Sequence, residues 1–385
     1  KAPNSLVEFI KAQKANPERF IQLPADTKYL GVIKAAVNKY QRKAWDGIVV
    51  IGIGGSNLGT LAIWRALRGK KEIGFAETLD ARRLDRILRH INENTLVIIV
   101  SKSGTTAETV ANAAVILDKI QNPEQVVAIT DENSKLWDWA KKNSFGVIPV
   151  PKEVGGRYSV FSAVGLFPLA MAGVKIEKLV AGAANFTSAC LDPEVAKNPA
   201  ALSALQIFKY WQGGKPIHDT FIFEPDLEAF GKWYRQLTGE SVGKDGKGIT
   251  PTVSIGTTDL HSVAQLYLGG PRDKFTTFIS VTDHGKDFAI KSRSGIEELA
   301  PDLAGNKFGE MLAVIYGGVV ATYKKRKIPF LEIHLAEISE EALGALMQMK
   351  MIEMMYLGKL MGVNPFDQPE VELYKEEVSR LLHNL

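Results

Sequence analysis

The chain has 385 residues, of which 45% are hydrophobic and 23% charged, as is usual for a globular protein. Its formal net charge is only +4, and no dense Lys/Arg patch with interleaved aromatics occurs, which argues against a nucleic-acid partner. We find no apolar run of membrane-spanning length and no signal peptide, so we expect a cytoplasmic protein without a membrane partner. The single cysteine, Cys190, excludes an intrachain disulfide and fits a reducing compartment.

The first half of the chain alternates strands with helices. Residues 1–44 have the pattern of helices and turns. Short apolar runs rich in β-branched residues follow, separated by helical stretches, and they lie at 47–53, 96–100, 126–130 and 147–150. Because this alternation is typical of a parallel sheet covered on both faces, we predict a doubly wound α/β domain.

The same pattern restarts after a helical stretch over residues 160–208. A long helix is predicted between Ser339 and Gly362, and it contains six of the eight methionines, which is typical of a core or subunit-contact helix. We therefore predict N-terminal helices and a first α/β domain over 1–200, a second over 201–340, and a C-terminal helix and arm over 341–385. Strands of the second domain are expected at 220–223, 252–255, 276–281 and 330–334.

A hydroxyl-rich turn follows the strand at 96–100. It contains Ser101, Lys102, Ser103 and Thr106, and helical spacing resumes directly after it. Free backbone N–H groups, the positive end of a helix and several hydroxyls together suit a phosphate monoester. An ordinary helix cap needs one Ser or Thr, whereas this turn offers four hydroxyls and a lysine.

Two glycine-rich stretches fail the tests for nucleotide motifs. Asn57 occupies the third glycine position of a dinucleotide-binding turn that begins at Gly52. Gly239 and Gly243 are separated by three residues, one fewer than a P-loop needs. The first stretch fits a turn in which a ligand approaches the backbone and Ser56 offers a hydroxyl; a tight strand-to-helix turn is equally compatible.

Single charged residues add candidates for chemistry. Arg157 lies in a glycine turn after the strand at 147–150, where ligands of open α/β folds collect, although a surface arginine would fit the same turn. Glu240 and His261 have structural interpretations when each is taken alone, and they become an acid/base set only beside a phosphate site. The six histidines are scattered without ligand spacing, so we predict no metal site.

Taken together, six segments resemble the phosphoglucose isomerase family, in family order and over residues 47–375. The resemblance implies two sugar-isomerase (SIS) domains with an active site in the cleft between them. It also implies reversible interconversion of glucose 6-phosphate and fructose 6-phosphate through an enediolate, in glycolysis and gluconeogenesis, with no cofactor or metal. The six segments are IGIGGSNLGT, SKSGTTAET, GGRYSVFSAVGL, WYRQLTGESVGK, HSVAQLYLGG and NPFDQPEVELYK.

The resemblance implies a role for each candidate residue. Glu240 would be the base that moves a proton between C1 and C2, and Arg157 would stabilise the enediolate. His261, from the neighbouring subunit of a homodimer, and Lys375 would open the sugar ring. Substrate contacts are implied for Gly55, Ser56, Ser101, Lys102, Ser103, Thr106, Gln236 and Gln368.

One position departs from the family pattern, and three alternatives compete with the isomerase. The family generally has a glycine before the Val-Glu pair of the last segment, where this chain has Glu370, which we expect to face solvent. A phosphosugar-sensing module would need no base such as Glu240, and Asn57 disfavours a nicotinamide oxidoreductase. An isomerase that also accepts mannose 6-phosphate stays open.

Overall fold

The computed structural model describes residues 3–291, 295 and 298–382. Two parallel sheets with helices packed on them form the body of the molecule. The helices and strands are, in chain order, α1 (Asn4–Ala15), α2 (Arg19–Gln22), α3 (Thr27–Tyr40), β1 (Gly47–Ile51), α4 (Leu58–Leu67), β2 (Ile73–Ala76), α5 (Ala81–Leu88), β3 (Thr95–Val100), α6 (Ala107–Leu117), β4 (Val126–Thr130), α7 (Lys135–Lys142), β5 (Gly146–Pro149), α8 (Ala163–Met171), α9 (Ile176–Cys190), α10 (Pro199–Gln212), β6 (Ile217–Ile222), α11 (Glu228–Val242), β7 (Thr250–Ile255), α12 (Ala264–Gly269), β8 (Lys274–Asp283), α13 (Phe308–Lys325), β9 (Phe330–Glu337), α14 (Glu340–Met361) and α15 (Glu370–Leu382).

The first sheet has five parallel strands in the order β2-β1-β3-β4-β5. Every residue of β3 and β4 is buried, because these apolar runs are covered on both faces of the sheet. Strand β1 ends at Ile51 rather than at the predicted Ile53, since the glycine-rich turn begins there. The apolar pattern does not predict β2, a short edge strand that includes Gly74 and is only partly buried.

The second sheet has four parallel strands in the order β7-β6-β8-β9. Each predicted strand is present and longer than its apolar run, and β6 starts at Ile217 because it includes buried His218 and Asp219. Neighbouring strands supply their partners: His218 Nε2 lies 2.8 Å from the Thr277 hydroxyl, and the Thr252 hydroxyl donates to Asp219 at 2.6 Å. The predicted fold class of two doubly wound α/β domains with parallel sheets is confirmed.

Helix α14 is the central helix of the molecule. It is buried along most of its length and packs on α9, α10 and α11, so the prediction of a core helix is confirmed. A Cβ on Gly344 would collide with the backbone carbonyl oxygen of Leu179, which means that only a glycine lets α14 approach α9 this closely. The buried amine of Lys350 lies 2.9 Å from the Glu353 carboxylate on the same helix, and this pairing offsets the cost of burying both charges.

Helix α15 forms the predicted C-terminal arm and lies on the surface. Residues 372–381 are all exposed, and Glu370 is exposed as expected. Across the described residues, 3–291, 295 and 298–382, we find no helix with the length and apolar content that crossing a membrane requires.

Candidate active site

The candidate site begins where β1 and β3 end side by side. The chain passes from β1 to β2 on one side of the sheet and then to β3 on the other, so the carboxyl ends of β1 and β3 flank a topological switch point. Ligands of open α/β sheets bind at such points. The turn at 52–56 follows β1 and contains Gly55 and Ser56, and the turn at 101–106 follows β3.

Hydroxyl groups organise the turn at 101–106. Ser101 is buried, and its Oγ accepts a hydrogen bond from Gly104 N at 3.0 Å and lies 3.4 Å from Thr106 Oγ1. Ser103 Oγ accepts from Thr105 N at 3.3 Å. Although Thr106 stands at the N-cap of α6, its side chain makes no capping hydrogen bond, which leaves the first N–H groups of the helix for an anion.

Lys102 holds a neighbouring loop. Its amine donates to the carbonyl of Lys152 at 2.6 Å and to that of Val154 at 3.4 Å, while the side chain stays exposed. These two carbonyls lie just before the glycine turn that carries Arg157. Lys102 therefore ties the phosphate-type turn to the segment that leads to Arg157.

Gly55 packs directly on the backbone of that second segment. A Cβ on Gly55 would stand 2.6 Å from Arg157 N, which is closer than any side chain tolerates. The Ser159 hydroxyl donates to the carbonyl of Gly55 at 3.4 Å, across the same contact. The close approach of two backbones thus explains why a glycine stands at position 55.

Arg157 is 2% exposed and uses its guanidinium fully. Nε donates to Ser241 Oγ at 3.0 Å, and Nη1 donates to Gln368 Oε1 at 2.6 Å and to Glu240 Oε2 at 3.3 Å. Nη2 donates to the carbonyls of Pro365 at 2.5 Å and Asp367 at 2.9 Å. The interpretation of Arg157 as a surface residue of a glycine turn is wrong, because only these acceptors make a buried guanidinium tolerable.

Glu240 lies at the centre of the cluster with both carboxylate oxygens engaged. Oε2 accepts from Arg157, and Oε1 accepts from Gln236 Nε2 at 2.9 Å. Gln236 and Glu240 are four residues apart on α11, so their side chains lie on one face of the helix. The Gln236 carbonyl oxygen is buried without a hydrogen-bond partner in the described structure.

The structure does not join the other two candidate catalytic residues to this cluster. His261 is exposed in a 3-10 helix at Thr258–His261, just after the edge strand β7, and among the described residues its ring has no hydrogen-bond partner. Lys375 is exposed on α15, where its amine lies 2.6 Å from Glu372. Both residues stand on the surface of the single chain.

Several residues of the cluster are not predicted as site residues from the sequence. The Tyr158 hydroxyl lies 2.9 Å from Ser241 Oγ, and burial raises the pKa of this phenol, so it remains a neutral hydrogen-bonding group. Lys244 is buried, and its amine lies 2.7 Å from the Asp367 carboxylate. The sequence feature that could have indicated them is their position in the GGRYS, GESVGK and NPFDQ segments, next to residues that are predicted to belong to the site.

The described residues form no cluster of three or more His, Cys, Asp or Glu side chains that would hold a metal ion.

Comparison with known proteins identifies the family. A sequence model of the family described as phosphoglucose isomerase matches residues 29–271. The chain belongs to the phosphoglucose isomerase family. Membership in this family confirms the resemblance to phosphoglucose isomerases and the expectation that the chain is an isomerase.

One relative and two solved structures resemble the chain over most of its length. "Glucose-6-phosphate isomerase" of Methanocaldococcus jannaschii is 34% identical over 352 residues, which are 90% of this chain and 87% of the relative. A hypothetical protein from Thermus thermophilus has a solved structure with TM-score 0.91 at 30% identity, covering 98% of this chain and 94% of that chain. Tagatose-6-phosphate ketose/aldose isomerase from Escherichia coli shares the fold, with TM-score 0.55 at 14% identity over 92% of this chain and 93% of that chain.

Proposed function

We propose that the protein interconverts glucose 6-phosphate and fructose 6-phosphate through an enediolate, and thereby serves glycolysis and gluconeogenesis. The observation that carries the proposal is the Glu240 carboxylate, held between Arg157 at 3.3 Å and Gln236 at 2.9 Å. Gly54 and Gly55 of the first domain pack against the side chain of Gln236 and the backbone of Arg157. A base and a cation therefore adjoin the glycine-rich turn at 52–56, which follows β1, and the turn that suits a phosphate follows the neighbouring strand β3.

Glu240 is the proposed base. An aldose–ketose shift needs a group that removes the proton from C2 and returns it to C1, and one carboxylate can serve both steps from one face of the substrate. The Glu240 side chain is 29% exposed, so a bound sugar would displace the remaining water from it. Desolvation of this kind strengthens a carboxylate as a base.

Arg157 is the proposed stabiliser of the enediolate. Its guanidinium stays charged, and the contacts to Ser241, Pro365 and Asp367 fix its orientation before substrate arrives. A fixed positive charge beside the reacting carbons stabilises developing negative charge on oxygen without reorganisation. This charge is the reason that we propose a reaction without a metal ion.

The turn at 101–106 is the proposed phosphate site. Its hydroxyl groups and the free N–H groups of α6 would bind the dianion, and Ser56 and Gly55 would lie near the sugar. The phosphate takes no part in the chemistry. The binding energy of the phosphate would fix the carbon chain against Glu240. Weaker phosphate binding should therefore lower kcat as well as raise KM.

We propose that ring opening requires His261 from a second copy of the chain, together with Lys375. His261 is exposed at the end of the edge strand β7, which suits a residue presented to the site of a second copy in a homodimer. Apolar residues of α13 are exposed nearby, including Val314 at 68% and Ile315 at 37%, and Ile315 lines an apolar cavity together with Leu260, the neighbour of His261. Lys375 would act from α15, with Gln368 at the base of the arm.

One coupled assay tests the proposal. It follows the formation of glucose 6-phosphate from fructose 6-phosphate, with mannose 6-phosphate as a parallel substrate and a chelator in a parallel reaction. We expect turnover of fructose 6-phosphate that the chelator does not reduce. No turnover would refute the proposed function, loss on chelation would refute the metal-independent mechanism, and conversion of mannose 6-phosphate would broaden the substrate class.

A further inference from the structure

The segment GKDGKG at 243–248, which fails as a nucleotide loop, forms a tight turn after α11. Lys244 N donates to the carbonyl of Lys247 at 3.1 Å, and Lys247 N donates back to the carbonyl of Lys244 at 2.8 Å. Asp245 and Gly246 between them have positive φ values of 54° and 69°, as a two-residue Asp-Gly hairpin turn of type I′ requires. The turn therefore has a defined geometry and presents two lysines to whatever lies beside it.

Both lysines bind the start of the C-terminal arm. Lys247 donates to the carbonyl of Met361, the last residue of α14, at 3.0 Å. Lys244 donates to the carbonyl of Asn364, and its amine lies 2.7 Å from Asp367 Oδ1. The Lys244 side chain is only 5% exposed, so these acceptors offset the cost of burying its amine.

The arm residues held in this way are the ones that hold Arg157. Residues 364–368, which we call the arm turn, provide the carbonyls of Pro365 and Asp367 and the side chain of Gln368 as acceptors for the guanidinium. No other charged side chain in the described structure forms an ion pair with the arm turn. Lys244 is thus one hydrogen-bonded step removed from Arg157.

The base and the lysine belong to one short stretch of chain. Glu240 and Ser241 are in the last turn of α11, and Lys244 follows the helix end by two residues. Ser241 binds Arg157 directly at 3.0 Å, while Lys244 reaches Arg157 through the arm turn. A displacement of the arm turn would therefore move the guanidinium relative to a carboxylate that stays in place.

We propose that Lys244 is a positioning residue of the isomerase: it clamps the arm turn onto α11 and thereby fixes the direction of Arg157 towards Glu240. The kinetic side of this inference rests on the proposed function. The mechanical side, that Lys244 immobilises residues 364–368, does not. A purely structural lysine would affect unfolding without a selective effect on kcat.

The test compares Lys244→Met with Lys244→Arg and with Lys232→Met. Methionine keeps an unbranched side chain one atom shorter and removes the donors, and arginine restores donors and charge. Lys232 is the matched control, because it lies on the same helix in an exposed pair with Glu228 at 2.8 Å. Each protein is assayed for kcat and KM with fructose 6-phosphate, for thermal unfolding, and for hydrogen exchange of the arm-turn amides.

We expect Lys244→Met to lower kcat by about 10- to 100-fold, because a small misplacement of a catalytic group has costs of this size. KM should change less than kcat does, because the phosphate turn at 101–106 makes no hydrogen bond to Lys244 or to the arm turn in the described structure, and Gln368 is the one proposed substrate contact that the arm turn contains. Exchange of the arm-turn amides should become faster. Lys244→Arg should recover most of kcat, and Lys232→Met should match the wild type in every measurement.

The outcomes separate the inference from the proposed function. If the wild type converts no fructose 6-phosphate, the proposed function fails, and arm-turn exchange that is equal in the wild type and Lys244→Met overturns the clamp as well. If the wild type is active, an unchanged kcat in Lys244→Met overturns the positioning role. Should this variant not fold, Asp367→Asn removes the exposed partner of Lys244; a lower kcat with faster exchange supports the proposal, and wild-type values in both overturn it.

Discussion

Gly55 and Arg157 meet backbone to backbone: a Cβ on Gly55 would stand 2.6 Å from the amide nitrogen of Arg157. The turn after β1 and the turn that carries the arginine therefore have no room for a side chain between them. Arg157 also donates a hydrogen bond to Glu240 at 3.3 Å, so this contact links the turn after β1 to the proposed base. The absence of a side chain at Gly55 therefore lets segments that are far apart in the chain pack together.

Gly55→Ala should therefore impair catalysis. The new methyl group must push the two turns apart, and a shift of about 1 Å at a catalytic group costs about 100-fold in rate. We expect kcat to fall by about that factor, as measured with fructose 6-phosphate. Gly47→Ala is the control, because the site of its new Cβ is open space in β1. A kcat of Gly55→Ala equal to that of the control would contradict the contact.

Glu240→Gln should nearly abolish isomerisation while sugar phosphate still binds. The amide keeps the shape of the side chain but cannot accept a proton, and general-base catalysis contributes about 100- to 10,000-fold. Binding of fructose 6-phosphate, measured by calorimetry, should stay within a few-fold of the wild type. Glu228→Gln, in an exposed pair at the other end of α11, is the matched control. Retained turnover in Glu240→Gln would remove Glu240 as the base.

The sequence predicts the fold where strands are apolar on both faces and fails where burial has another cause. Strands β3 and β4 are continuous apolar runs, and their burial follows from composition alone. The start of β6 is not predicted because His218 and Asp219 are polar. Their hydrogen-bond partners lie on neighbouring strands, and the apolar periodicity of the sequence does not indicate them. Strand β2 escapes because it is short and contains Gly74.

The candidate site divides in a similar way. The pairing of Gln236 with Glu240 follows from helical spacing, and the hydroxyl-rich turn at 101–106 is visible as a local pattern. The contacts of Arg157 with the C-terminal arm join residues more than two hundred positions apart, and a local sequence pattern does not predict contacts over such a separation. For those contacts the sequence offers only the family resemblance, which identifies the segments without saying how Lys244 connects them.

Thr106→Val should weaken substrate binding without weakening α6. The Thr106 hydroxyl makes no capping hydrogen bond, so its loss leaves the helix intact, whereas a hydrogen bond to a charged phosphate contributes about 1.5–3 kcal/mol. We expect KM for fructose 6-phosphate to rise at least about tenfold with an unchanged midpoint of thermal unfolding. Asp80→Ala provides the opposite case, because Asp80 caps α5 by accepting from Arg83 N at 2.9 Å. It should cost about 1 kcal/mol of stability and leave KM unchanged; the reverse pattern would disprove the phosphate assignment.

Stability should fall below about pH 6.5 because of His218. Burial, with a smaller contribution from Lys350, holds the pKa of His218 well below the ordinary value of 6.5. As pH falls below 6.5 the unfolded chain binds a proton that the folded chain does not, so stability is fully present above that pH and is lost below it. The slope should reach about 1.4 kcal/mol per pH unit. Urea unfolding between about pH 5.5 and 7.5 measures it, and a matching slope in His218→Phe would assign the effect to another group.

Mixing two inactive variants should restore activity if each site takes His261 from a second copy. His261→Ala and Glu240→Gln chains are each expected to be inactive as homodimers. In a heterodimer, one of the two sites combines an intact Glu240 with the intact His261 of the other chain, and the second site lacks both. Random exchange makes about half of the dimers heterodimers, and one of the two sites in each heterodimer is intact. The kcat per total site should therefore return to about a quarter of the wild-type value, with an unchanged KM. Activity that stays at zero in confirmed heterodimers would mean that His261 serves the site of its own chain, and the exposure of His261 at the end of β7 would then need a closing motion within one subunit.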